Sequence, residues 1–196
     1  MCLQKSLGKY GPVKILMSDD FKQLVGRKVL LRPFQQSDIT SEYISWLNDP
    51  DVVRYSNQRF VTHTELSCLK YLETFLNTSN LFFSVRTKAD DLAVGTMTAY
   101  VSVPHGTADI GILIGQKSVW GTGVGQDAWD TLLNWLIDQR RVRKVTAGTL
   151  SSNKAMIVIM ERSGMHREAV RPKQEMLDGE PVDLHYYGKF GRPRTL

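Results

Sequence analysis

Trp120-Gly-Thr-Gly-Val-Gly-Gln126 puts glycine at every second position, between the β-prone run Ile110 to Ile114 and the apolar-periodic segment Ala128 to Ile137. Strand, glycine-rich turn, helix is the order in which a helix N-terminus holds a phosphate group. Backbone amides crowd around a diphosphate only where side chains are absent, and the first turn of a helix supplies unpaired N–H donors with a partial positive charge. The stretch therefore predicts a site for a nucleotide-bearing cofactor, against the plainer reading of a tight turn that lets helix and strand pack closely. Two familiar nucleotide motifs do not fit. A dinucleotide fingerprint wants an acidic residue about 20 positions further on, at the end of the next strand, and Val142 to Leu150 has none there. A P-loop needs Gly-Lys-Ser/Thr, and Gly125 is followed by Gln126-Asp127.

Around this turn the chain alternates strand and helix signals. Lys28 to Phe34 reads as a first strand closed by Pro33, and Ser37 reads as the cap of a helix with Ile39, Tyr43, Trp46 and Leu47 at helical spacing. Thr62-His-Thr-Glu65 has the form of a capping box, opening a helix with Leu66, Leu69, Leu72, Phe75 and Leu76 on one face. Leu81 to Arg86 and Leu92 to Val101 read as a hairpin through Ala89-Asp-Asp91, and His105-Gly-Thr107 turns into the run Asp109 to Gly115. After the glycine turn come a helix with Trp129, Leu132, Leu133 and Leu136, and a strand from Arg143 to Thr149. A helix from Asn153 to Arg162, stopped by Gly164, and two last strands complete the chain. The order is an α+β pattern. Met1 to Gly26 shows little periodicity beyond Val13-Lys-Ile-Leu-Met17.

With 196 residues the chain suits one core, of a size that buries about 70% of its unfolded surface. It has no apolar run of the roughly 18 residues that cross a bilayer, and no signal-peptide centre, so a cytoplasmic protein is expected. Cys2 and Cys68 give neither a disulfide framework nor a metal spacing. The net charge of +5 gathers at Arg140 to Lys144, Arg167 to Lys173 and Lys189 to Arg194. These clusters flank turns and alternate with core residues, unlike the basic face interleaved with aromatics that binds nucleic acid.

The glycine turn resembles the acyl-CoA pyrophosphate loop of the GNAT superfamily of N-acetyltransferases, whose pattern is Arg/Gln-x-x-Gly-x-Gly/Ala. Gly123 and Gly125 match its glycines, and Trp120 stands at the Arg/Gln position, as in the branch holding ribosomal-protein N-terminal and amino-sugar acetyltransferases. Trp46 to Pro50, Leu150-Ser-Ser-Asn153, Arg162-Ser-Gly-Met165 and Val182 to Tyr187 resemble further segments of that branch, in order, over about Val29 to Phe190. The resemblance implies the GNAT fold, an α+β domain over residues 27–196 after an extension of residues 1–26. Its mostly antiparallel sheet would splay at the acyl-CoA site and carry helices on both faces. It implies acetyl-CoA as cofactor, held by the backbone of Leu113, Ile114 and Gly115 as an open strand edge, by the turn residues Trp120, Gly121, Thr122, Gly123, Val124, Gly125 and Gln126, and by Asn153. An amide-rich pantetheine arm pairs with such an edge as another strand would.

The implied reaction is acetyl transfer from a thioester to a primary amine, which needs a base, an oxyanion donor and a proton for the thiolate. A strand amide near Leu113 or Ile114 is the oxyanion candidate. Ala108-Asp-Ile110 resembles the Ala-Glu-Ile of histone-type members, whose glutamate takes the amine's proton. Asp109 is thus the candidate catalytic base, one methylene shorter and reaching through a water. By the two-residue period it shares a face with Gly111, Leu113 and Gly115. The competing reading is that Asp109 ends a turn. Relatives place a Tyr, or in this branch a Ser, three residues after the asparagine, where this chain has Met156, and a thioether donates no proton. Asn153 is open to both a pantetheine contact and a helix-cap role. His105 sits in a turn, and no histidine is placed to activate Cys68.

In relatives the acceptor cleft is walled by the first helices and the loop after them, here Asp51 to Val61. Tyr55, Asn57 and Arg59 combine a stacking face, an amide and a cation, a mixture suited to a small-molecule amine such as an amino sugar or nucleotide-linked amino sugar. A peptide or ribosomal-protein N-terminus is the alternative acceptor. A catalytically weak acyl-CoA-binding module and a nucleic-acid binder are the alternative classes. No metal, membrane or nucleic-acid partner is expected, and assembly as a homodimer stays open.

Overall fold

The structure, a computed structural model, describes residues 23–191. Val13 to Met17, Cys2 and the end of the basic tail lie outside the described residues. An eight-stranded sheet runs in the order β1-β2-β3-β4-β5-β6-β8-β7. Its strands are β1 (Leu24–Val25), β2 (Val29–Pro33), β3 (Leu81–Thr87), β4 (Ala93–Ser102), β5 (Thr107–Ile114), β6 (Lys144–Leu150), β7 (His166–Leu177) and β8 (Glu180–Phe190). Every neighbouring pair is antiparallel except β5 with β6. The sheet begins at Leu24, which pairs with Leu31 from within the stretch read as an extension.

Among the described residues five α-helices cover the sheet: α1 (Ser41–Asn48), α2 (Pro50–Val53), α3 (Glu65–Glu73), α4 (Val124–Asn134) and α5 (Lys154–Arg162). The two-residue period of the strands divides the core into two. Phe83 and Val85 of β3, Ala108 and Ile110 of β5, and Val145 and Ala147 of β6 bury on one face beneath Trp129, Leu132 and Leu133 of α4 and Met160 of α5. Phe82 turns to the other face, where Phe34, Tyr43, Trp46, Cys68 and Phe75 close over it and Leu113 packs alongside. A π-helical turn, Trp135–Gln139, extends α4.

Helix starts differ from the sequence reading in two places. Ser37 is not a cap. The buried Asp38 carboxylate accepts the Gln35 amide at 2.8 Å and pairs with Arg32 at 2.6 Å, which folds Gln36–Asp38 into a 3-10 turn and defers the helix to its cap Thr40. The second capping box is Thr64 with Ser67, two residues beyond the pair expected at Thr62 and Glu65. Asn48 explains the delay, since its amide group brackets the His63 backbone at 2.8 and 2.9 Å and keeps it extended. Helix α3 consequently buries Cys68 and half-buries Tyr71 and Leu72 ahead of buried Phe75, leaving Leu66 and Leu76 exposed.

Candidate functional site

The path from β5 to α4 is fastened at both ends. After a 3-10 turn, Lys117–Val119, the Trp120 indole N–H donates to the Ile114 carbonyl at 2.9 Å, and the Thr122 hydroxyl donates to the Val119 carbonyl at 2.7 Å. Gly121 and Gly123 have φ of 75° and 87°, a left-handed conformation that side chains resist, and Gly123 caps α4. Nothing lies within 4 Å of where a Cβ on Gly121 would stand. The Asp127 amide is the first to find a backbone carbonyl, that of Gly123 at 3.0 Å, so the amides of Val124, Gly125 and Gln126 point out of the helix end. Open space, outward donors and the helix dipole make a cradle that fits a phosphate anion.

Lys28 completes the cradle and had no signal in the local sequence. Its ammonium donates to the Thr122 carbonyl and stands 3.4 Å from where a Gly123 Cβ would be. Buried Asp127, in the first turn of α4, brings it there by accepting the backbone N–H groups of Arg27, Lys28 and Val29 at 3.2, 2.7 and 3.1 Å. Two turn residues do less than expected. The Gln126 side chain turns inward, donating to Ser163 at 2.8 Å and to Asp130 at 3.2 Å, so it joins α4 to α5 and leaves only its amide at the turn. A Cβ on Gly125 would meet Ile114 and Ile159 at 3.6 Å, ordinary contact, and its φ is not in the left-handed region.

Beside this cradle the sheet opens. β5 pairs with β6 through Thr107↔Lys144, Ala108↔Val145 and Asp109↔Thr146, and there the pairing stops, although both strands continue to Ile114 and Leu150. The backbone of β5 beyond Asp109 therefore faces a gap. Within the expected edge of Leu113 to Gly115 some groups are already taken. Gly115 donates its N–H to the Val94 carbonyl at 2.9 Å, and the Ile114 carbonyl holds Trp120. Space here is tight, since a Cβ on Gly115 would stand 2.1 Å from the Trp46 ring and one on Gly95 2.2 Å from the Leu113 carbonyl oxygen.

Asp109 sits at the last paired register, on the face opposite Ala108 and Ile110, and accepts the Thr146 hydroxyl at 2.7 Å. Surrounding protein pushes its carboxyl above the usual aspartate range, and the Thr146 hydrogen bond pulls partly the other way. Tyr100 is its cross-strand partner on β4, and the Tyr100 and Tyr71 hydroxyls lie 2.6 Å apart. Asn153 caps α5 by accepting the Met156 amide at 3.2 Å, which leaves the NH₂ end of the side chain for another partner. Met156 packs against the core.

A long arm reaches across this opening. The β7–β8 hairpin pairs with β6 through Leu184 to Phe190, runs on past the end of β6, and turns at Asp178-Gly179, both with positive φ as a two-residue hairpin turn of this type requires. Arg54 pairs with Asp178, and Arg59 donates to the Met176 carbonyl at 2.9 Å, tying the tip to α2 and to the 3-10 turn Asn57–Phe60. Because the α1–α2 side packs on the end of β5 through Trp46 and Lys117, the arm joins the two sides of the gap. Between tip and helices lies a cleft of about 510 Å³. Of the expected acceptor residues Arg59 lines it, while Tyr55 and Asn57 do not. Tyr55 is exposed beside Arg54, whose guanidinium lies 5.8 Å from its ring, and exposed Asn57 opens the 3-10 turn. The sequence reading missed the hairpin tip, for which Asp178-Gly179 is the available signal.

Other singled-out groups have local roles. Cys68 is buried, and burial pushes its thiol up, away from nucleophilic reactivity. His105 is exposed in its turn, where its carbonyl accepts from Arg143. Arg140 stacks on Trp135 at 5.0 Å, Lys144 pairs with Glu168 at 2.6 Å, and Lys189 donates to the Ser163 carbonyl at 2.8 Å, so much of the basic excess is spent on packing. Among the described residues no helix is long and apolar enough to cross a membrane, and no cluster of His, Cys, Asp and Glu could hold a metal ion.

Known proteins share this fold. "Probable N-acetyltransferase YjcK" of Bacillus subtilis (strain 168) is 21% identical over 164 residues, covering 80% of this chain and 90% of its own. The structure superposes on a ribosomal L7/L12 alpha-N-protein acetyltransferase solved in complex with coenzyme A, with a TM-score of 0.76 at 13% identity, covering 87% of this chain and 98% of that one. It also superposes on the microcin C7 self-immunity acetyltransferase in complex with acetyl-CoA and AMP, with a TM-score of 0.72 at 18% identity, covering 84% and 93%. The model of the acetyltransferase (GNAT) domain matches residues 28–166, and the chain belongs to that family of N-acetyltransferases.

Proposed function

We propose that the protein transfers an acetyl group from acetyl-CoA to the primary amine of a small polar acceptor, such as an amino sugar or nucleotide-linked amino sugar, by direct attack of the amine. The observation that carries this reading is the parting of β5 and β6 immediately after Asp109 and Thr146. The outward amides of α4 follow the β5 side of that gap in the chain, and the β7–β8 arm, which leaves β6 on the other side, roofs a cleft against α1 and α2. The amides of Val124, Gly125 and Gln126 with the Lys28 ammonium suit the diphosphate, and the gap-facing backbone of β5 after Asp109 suits the pantetheine arm, beside the free end of Asn153. Bound there, acetyl-CoA supplies the activated thioester carbonyl.

The remaining chemistry belongs to the chain. Asp109, raised by its surroundings, accepts the proton of the acceptor ammonium through a water and leaves the amine free to attack. With Met156 packed against the core and its thioether no donor, no side chain is assigned to the departing thiolate, which takes its proton from solvent or from the newly bonded nitrogen, positively charged in the tetrahedral intermediate. A cleft of about 510 Å³ closed on one side by the hairpin tip suits a small molecule better than a polypeptide end.

The test is thiol release from acetyl-CoA over amino sugars, nucleotide sugars, polyamines and peptides. Release with a small polar amine, reduced in Asp109→Asn at unchanged acetyl-CoA affinity, is expected. Release with peptides alone would overturn the acceptor class, and acetyl-CoA binding without release from any amine would make the protein a binding module.

A further inference from the structure

Arg59 is the cleft's unspent charge. Lys117, at the rim, is held by Asp49 at 2.8 Å and Asp51 at 2.7 Å, and Asp178 is taken by Arg54. Arg59 has no acid within ion-pair distance among the described residues. Its two partners are neutral carbonyls, Ser56 at 2.7 Å on Nη1 and Met176 at 2.9 Å on Nη2, and its guanidinium stacks on the Phe60 ring at 4.2 Å. Two carbonyls from different elements and an aromatic face fix the guanidinium in orientation without neutralising it. A guanidinium carries five N–H donors in a rigid fork, and two are used here. The remainder are held at the wall of the cleft with their rotamer entropy already lost.

We infer that Arg59 selects acceptors carrying an anionic group, a phosphate or a carboxylate, at the end of the molecule away from the reacting amine. This rests on the acetyltransferase reading above. A preoriented, uncompensated guanidinium gains charge-assisted hydrogen bonds from an anion and nothing from a hydroxyl it would have to share with water. The acids of the cleft do not cancel this preference, because each is already paired with Lys117 or Arg54.

The experiment compares matched amines by thiol release from acetyl-CoA: glucosamine against glucosamine 6-phosphate, and β-alaninamide against β-alanine. Wild type is expected to favour the charged member of at least one pair by about tenfold or more in kcat/KM, through KM, and the pair that shows it separates phosphate from carboxylate recognition. In Arg59→Gln the charged-to-neutral ratio falls to about one. Should Arg59→Gln not fold, Arg59→Lys keeps the charge without the fork, and the ratio falls severalfold. Equal rates on both members in wild type, or a ratio unchanged by these Arg59 variants, overturn the inference. If no amine releases thiol, the acetyltransferase reading fails by itself. Calorimetry with glucosamine 6-phosphate and β-alanine then decides this one: binding by wild type that Arg59→Gln loses supports it, and equal or no binding overturns it.

Discussion

Glycines border the opening for two different reasons, and their variants should separate. Gly95 and Gly115 are there for space: a Cβ on Gly95 would strike the Leu113 carbonyl oxygen, which moves only with the strand, and one on Gly115 would strike the buried Trp46 ring. Gly121 is there for conformation, at φ 75° with nothing near it. Gly95→Ala should therefore cost about 1–3 kcal/mol, as overpacking does, and weaken acetyl-CoA binding by shifting the edge itself. Gly121→Ala should cost about 1 kcal/mol from the left-handed φ alone. Urea midpoints at constant slope, with acetyl-CoA titrations, check both. Asp109 carries a different tension. Its surroundings favour the neutral acid, so the folded state holds the proton more tightly than the unfolded chain does. The stability this gives is complete below the ordinary aspartate range and is lost as pH rises through the raised value, so at neutral pH the ionised side chain costs stability. Asp109→Asn should lower turnover and remove an acidic limb of the kcat profile lying above the ordinary carboxylate range. Unchanged turnover, or an unchanged pH profile, would remove Asp109 from the mechanism.

Helix α4 shows how an element places a cation no motif announces. Asp127 favours its own helix N-terminus by charge and holds the turn before β2 through three backbone N–H groups, which sets Lys28 against the glycine turn 94 residues further along the chain. Lys28→Ala should raise the acetyl-CoA Kd about tenfold with little change in stability, since one charge-assisted contact is lost from an exposed site. Asp127→Ala should weaken binding and also cost about 1–3 kcal/mol, because three backbone N–H groups, that of Val29 buried, lose their acceptor. Titration and urea denaturation of both variants distinguish them. The parts of this element legible in the sequence were those with a local cause. Trp129, Leu132, Leu133 and Leu136 repeat at helical spacing and are buried, Gly123 takes the conformation glycine favours, and Ile110 to Ile114 lies within a strand as its composition implied. Lys28, the inward Gln126 side chain and the Trp120 bond to a carbonyl were not legible, because their partners are distant or are backbone groups that any sequence offers. Ser37 and Leu66 misled for the same reason. Asp38 and Asn48 engage groups outside the helix windows and reset where the helices begin.

At the scale of the molecule, a splayed sheet has a mechanical weakness, since the hydrogen bonds joining β5 to β6 stop halfway along them. The protein closes the ring by another route. One side of the gap carries α1 and α2, packed through Trp46 on Gly115 and through Lys117 on Asp49 and Asp51, and the other carries the β7–β8 arm. Asp178 to Arg54 and the Met176 carbonyl to Arg59 join the two over the cleft, with Leu177 buried between them. The first of these ties is exposed on both partners, so its contribution to global stability is about 0–1 kcal/mol. Its effect is local, on whether the tip stays down. Asp178→Asn should leave Tm within about 1 °C while accelerating amide hydrogen exchange at Leu177 to Glu180, and should leave exchange in the buried strands β3 and β4 at its original rate. Because the tip roofs the cleft proposed for the acceptor and lies apart from the residues proposed for acetyl-CoA, the kinetic consequence is expected on one substrate. The acceptor KM should rise severalfold, acetyl-CoA affinity should hold, and added salt, which screens an exposed ion pair, should move wild type toward the variant. A large drop in Tm would instead place the arm among the elements that hold the sheet together. Loss of acetyl-CoA binding would place it at the cofactor, and either result would end its assignment as the roof of the cleft.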